Sequence, residues 1–189
     1  MLFDSIGVIG QTLIAGFIAK KDFKGLESLK TMVINFAFKL SLITLVIFIL
    51  ISFPLSHLFS SDPQISSWSL IGCFEVALTF PLLGYLFSTD GFFMGACDFV
   101  FLFKASVGAF IFSFITSHVV FMFLSNNLWG FLILTAVFDF SYYGFRAIAN
   151  YRRFKSKKWR TYNFEMEKSD RAFQPILIIL GMFIELVPA

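Results

Sequence analysis

The chain has 189 residues, 58% hydrophobic and 14% charged, with a formal net charge of +3 and a mean hydropathy of +0.82. A soluble domain carries roughly 45–50% apolar and about 25% charged residues, and a chain this short leaves too much surface exposed to hide the excess. A water-soluble globule is thereby excluded, and an all-α polytopic membrane bundle is predicted, with phenylalanine, at 29 residues, suiting faces that have no water to satisfy polar atoms.

A spanning helix needs about 20 mainly apolar residues, and five stretches qualify. The first runs from Leu2 to Ala19, the second from Met32 to Phe53, the third from Ser66 to Ser88, the fourth from Val100 to Leu124 and the fifth from Leu128 to Ile148. Charge, or Pro, Asn, Ser and Asp clusters, end each of them. Asp4 stands where a secretion signal would carry basic charge, so no signal peptide is expected.

The basic residues fall to one side if the five spans alternate. Lys20, Lys21, Lys24 and Lys30 follow the first span, and Lys39 lies just inside the second, from where it can snorkel back. Pro54 to Ile65 carries no Lys or Arg, and neither does the 125–127 link. Lys104 flanks the fourth span, and Arg146, Arg152, Arg153, Lys155, Lys157, Lys158 and Arg160 end or follow the fifth. The positive-inside bias makes that side the cytoplasm, with the start of the chain outside and its end inside, in a plasma or inner membrane. An odd span count, with Asp4 already inside the first span, predicts a part of a larger protein.

Ionisable groups inside spans are expensive and mark pathways. Glu75 lies mid-way along the third span and Asp139 mid-way along the fifth, with no Lys or Arg beside either in sequence. Asp90 lies at the end of the third span and Asp4 at the start of the first, where an interfacial position is an alternative. A proton or cation site facing the bundle interior is the functional reading of these acids; His118 reads as a helix-packing residue. Pro81, six residues after Glu75, is a candidate helix kink. Gly91 and Gly95, with Gly7, Gly10, Ala15 and Gly16, would allow close helix approach. Cys73 and Cys97 read as two small buried hydrophobes. The basic run Arg152 to Arg160 reads as a juxtamembrane anchor touching anionic lipid rather than as a nucleic-acid site. No nucleotide-binding, hydrolase or metal-ligand spacing is present, so no enzyme activity, cofactor or metal is expected.

Four segments resemble one family in order and spacing. Phe3 to Gly16 (FDSIGVIGQTLIAG) resembles a helix of multidrug and toxic compound extrusion (MATE) transporters reading roughly LDALAIAAQALVG. Phe53 to Ile65 (FPLSHLFSSDPQI) resembles that family's outer link, and Asp90 to Asp98 (DGFFMGACD) its DG.F.GAGDT segment, nearest to the DNA-damage-inducible branch. Asn127 to Gly130 (NLWG) resembles the entry to its last helix. The resemblance covers about residues 3–158 and implies helices eight to twelve of a twelve-helix, two-lobed fold. It implies efflux of an organic cation or metabolite in exchange for protons or sodium ions, with the missing N-terminal lobe as partner.

In that resemblance Asp4 and Gln11 would face the lobe interior, and Asp90 would lie near the cytoplasmic gate. Cys97 replaces the motif's second glycine, Asp139 falls where a small or basic residue is expected, and Glu75 has no counterpart. Residues 1–158 are expected to form the lobe and 159–189 a separate cytoplasmic tail. The stretch 161–189 matches nothing in the family, and its apolar run from Pro175 to Leu186 is too short to span. The competing reading is a non-transporting membrane scaffold or assembly subunit that uses the Phe-rich faces for partners.

Overall fold

The computed structural model describes residues 2–59, 61–124, 128–157 and 159; the expected tail over 161–189 lies outside them. Five helices follow one another: α1 (Leu2–Ala19), α2 (Phe23–Phe59), α3 (Pro63–Gly95), α4 (Phe99–Phe121) and α5 (Leu128–Ser156). The described residues contain no strand. Helices α2 to α5 are long and apolar enough to cross a bilayer, whereas α1 is apolar but shorter. Each of the five expected spans is thus a helix, and the shortest, α1, with 18 residues, reaches about 27 Å at 1.5 Å per residue.

The helices outrun the spans. Asp22 caps α2, its Oδ1 accepting from Gly25 N at 2.9 Å, so Lys24 and Lys30, expected in a link, lie on the first turns of α2. Asp62 caps α3 in the same way, accepting from Gln64 N at 2.7 Å, with Pro63 at the first helical position. The expected outer link from Pro54 to Ile65 is therefore mostly helical: α2 continues through Pro54. Helix α3 likewise runs through Pro81 without ending.

Two residues past the ends of α1 and α3, Lys21 and Cys97 have positive φ, 55° and 58°. Asp22 N donates to Phe17 O and Lys21 N to Ile18 O; Asp98 N donates to Phe93 O and Cys97 N to Met94 O. This is the paired 6→1 and 5→2 closure that usually employs glycine. Cys97, expected to be buried, is exposed, so replacing it removes no packing. Left-handed backbone costs a non-glycine residue about 1–2 kcal/mol. Cys97→Gly is expected to raise stability by about 1 kcal/mol in a detergent unfolding titration; a fall would refute this account of the turn.

Helix α3 is the centre of the bundle, contacted by α1, α2 and α5, while α4 packs chiefly on α5. Gly7 of α1 lies against Phe87 and Gly91, and Gln11 against Gly95, so α1 and α3 run parallel. A Cβ on Gly91 would collide with the backbone of Gly7, and one on Gly95 with that of Gln11. Gly7, Gly10, Gly91 and Gly95 thus serve the close approach that their spacing suggested. Ala15 and Gly16 do not: both are exposed, and a Cβ on Gly16 meets nothing within 4 Å.

Four buried hydroxyls donate within their own helices: Ser41 to Phe38 O, Ser52 to Phe48 O, Thr89 to Leu86 O and Ser113 to Ala109 O. The outer faces of α2 and α4 expose Phe36, Ile43, Leu50, Phe103, Phe110 and Phe114. That apolar expanse suits lipid. Trp68 and Trp129 meet edge-to-face, 4.5 Å between centroids, near the starts of α3 and α5, where an aromatic belt would sit. The chain is a multi-pass membrane protein.

Candidate functional site

Helices α3 and α5 run parallel, with Thr135 against Glu75 and Asn150 against Thr89. Two polar sites follow from that register. The first is mid-way along both helices. Thr135 Oγ1 donates to Glu75 Oε2 at 3.1 Å and is shared with Leu132 O at 2.9 Å. Glu75 Oε1 is buried with no partner. Asp139 lies one turn beyond Thr135 on the same helix. No Lys or Arg among the described residues forms an ion pair with either acid.

Asp139 also borders an open hollow of about 480 Å³ along α4 and α5, lined by Phe138, Tyr142, Tyr143 and the exposed rings Phe103 and Phe110 of α4. A carboxylate beside aromatic rings attracts cations twice over, by charge and by the negative faces of the rings. Sequence reading found both acids, but as separate residues. Which residues of α5 face Glu75 depends on the α3–α5 register, which no local pattern records.

The second site lies about 22 Å further along α3, fifteen residues at 1.5 Å each. Arg146 Nη2 donates to Asp90 Oδ2 at 2.5 Å. Asn150 Nδ2 donates to Asp90 Oδ1 at 3.0 Å and to Thr89 Oγ1 at 2.8 Å. Arg153 Nε donates to Asp98 Oδ2 at 2.7 Å, with the Asp98 side chain fully buried. Asp98 occupies the N-cap of α4 but makes no side-chain capping bond; its carboxylate turns to Arg153 instead. Phe154 stacks on Phe93, 4.6 Å between centroids, and Trp159 closes over both rings. The run from Arg152, expected to be a lipid-touching anchor, is therefore divided. Arg153, Phe154 and Trp159 lock α5 to the end of α3, while Arg152, Lys155 and Lys157 stay exposed.

Asp90 is thus ion-paired with Arg146 and bonded to Asn150, and these two, like the Asp98–Arg153 pair, are residues that the sequence did not assign to a site. The signal available was the spacing of Arg146, Asn150 and Arg153, which is one helical face when α5 continues past Ile148. Asp4 and Gln11 are exposed on α1, and the backbone of Gln11 lies against Gly95 of α3. Pro81 lies within α3 between the two sites. His118 stacks on Phe114 on the outside of α4. Among the described residues no cluster of His, Cys, Asp and Glu could hold a metal ion.

Two curated proteins of Arabidopsis thaliana resemble the chain. Protein DETOXIFICATION 45, chloroplastic, is 34% identical over 103 residues, 52% of this chain and 18% of that protein. Protein DETOXIFICATION 43 is 29% identical over 153 residues, 81% of this chain and 28% of that protein. The chain therefore spans less than a third of the length of either relative. No family model matches, and no solved structure does.

Proposed function

We propose that the chain is most of one lobe of a MATE-type efflux antiporter, and that Glu75, Thr135 and Asp139 form its cation-coupling site. The likeness to two proteins named for detoxification supports the family, as do the four ordered motifs. The observation that carries the site is the bond of Thr135 to Glu75 between α3 and α5, with Asp139 one turn further along α5 and no basic partner for either acid among the described residues. Two such carboxylates in a region of low dielectric need a compensating charge: a proton, a sodium ion or an organic cation.

The aromatic hollow beside Asp139 would admit the organic cation, so that cargo and coupling ion compete for one charge. The Asp90–Arg146 and Asp98–Arg153 pairs would fasten α3 to α5 at the basic, cytoplasmic end while the site opens to the other side. The missing lobe would complete the path, with the exposed Asp4 and Gln11 of α1 turned toward it.

Binding tests the site without requiring a whole transporter. Purified chain in weakly buffered detergent is titrated with tetraphenylphosphonium while proton release and sodium displacement are recorded. Saturable binding that expels one of the two ions is expected, weakened about tenfold or more by Glu75→Gln or Asp139→Asn and unchanged by Asp4→Asn. Tight binding that expels neither ion, or that survives both substitutions, would sink the assignment.

A further inference from the structure

Helices α2 and α5 flank α3 and make little contact with each other. Between them, at the basic end, lies a groove of about 910 Å³. Its rim carries Lys24 and Lys30 from α2 and Lys155 and Lys157 from the end of α5, with Glu27 the one acid of the lining. Glu27 is already paired with Lys30, whose ammonium also sits over the Phe154 ring, 5.6 Å from its centroid. Three lysines are left: Lys24, Lys155 and Lys157 are exposed and make no ion pair with a described residue.

The placement of Lys157 is built into the chain. Its backbone is left-handed, φ 57°, and its N–H donates to Phe154 O at 3.1 Å, turning the chain back at the end of α5. The floor of the groove is different in character. Ile34 and Phe154 are apolar, and Tyr85 brings a half-buried ring from α3. Cations at the mouth above an apolar and aromatic floor match an amphiphile with an anionic head.

We propose that this groove binds the phosphodiester headgroup of an anionic phospholipid from the adjoining leaflet. Lys24, Lys155 and Lys157 hold the phosphate, while Ile34, Tyr85 and Phe154 receive the first part of an acyl chain. Juxtamembrane lysines gather anionic lipid by charge alone, but the groove adds a fixed place, between two helices whose relative position the lipid would bridge. The inference does not depend on the transport reading, because it uses none of the residues of the Glu75 site.

The test is lipid selectivity in phosphatidylcholine nanodiscs holding the purified chain. Spin-labelled phosphatidylglycerol and spin-labelled phosphatidylcholine are compared by the fraction immobilised. A preference of about tenfold for phosphatidylglycerol is expected. It should fall to near unity in Lys24→Gln/Lys155→Gln/Lys157→Gln, whose exposed positions leave the fold intact. It should persist in Lys20→Gln/Lys104→Gln/Arg152→Gln, which removes the same charge outside the groove. Equal loss in both triple variants would reduce the effect to diffuse charge and overturn the site. Retention in the first would overturn it too, and so would displacement of the labelled lipid by inorganic phosphate at an ionic strength where chloride has no effect, which would assign the groove to a soluble anion.

Discussion

Gly91→Leu should detach α1 from α3 and lower the unfolding free energy by at least about 3 kcal/mol in a detergent titration, at the top of the overpacking range. A single Cβ at this position already collides with the carbonyl, C and Cα of Gly7. Backbone cannot yield as a flexible side chain can, so the two helices must separate. Separation opens the contacts on either side of the glycine: Phe3 with Phe80 and Phe87, and buried Ile6, Ile14 and Phe92.

Amide hydrogen exchange along α1 should rise in the variant. Gly16→Leu is the matched control, since the space around Gly16 is open, and its change should stay within about 0.5 kcal/mol. Equal destabilisation at both positions would show that α1 is not held through its glycines.

Arg153→Gln should cost about 3 kcal/mol, because it leaves the Asp98 carboxylate fully buried without its counter-charge. Arg153 also lies over the Phe101 ring, 5.3 Å from the centroid, so the loss joins α5 to α4 as well as to α3. Arg153→Gln combined with Asp98→Asn should recover a large part of the loss, because two neutral amides can replace the ion pair with a hydrogen bond. A coupling energy of at least about 1.5 kcal/mol is expected from the double-mutant cycle. Additive losses would mean that the pair is not energetically joined.

The two substitutions separate what the sequence makes legible from what it does not. The glycines were visible as small residues at helical spacing, but the same spacing also drew in Ala15 and Gly16, which face outward. Which glycine faces a helix depends on the parallel seating of α1 on α3. For Asp98 the local pattern is that of a helix N-cap; only the position of Arg153 reveals why its carboxylate leaves the cap. Arg153 itself read as surface charge, because a run of basic residues after a span looks the same whether α5 stops at the membrane or continues.

The helices outrun the apolar stretches for a related reason. Hydropathy marks where lipid ends, whereas a helix continues until a capping residue or a left-handed turn stops it. Asp22, Asp62 and the turns at Lys21 and Cys97 carry that information, and they lie outside the apolar stretches.

By itself, the sequence determined the membrane class, the helical content, the order of the elements and the gathering of basic residues at one end, since each depends on composition or on one segment at a time. The tertiary structure alone decided that Thr135 bonds Glu75, that Asp90 and Asp98 are ion-paired, and that three lysines border one groove. Those facts depend on the register between helices distant in sequence, which is fixed by close packing of glycines and rings and leaves no period along the chain.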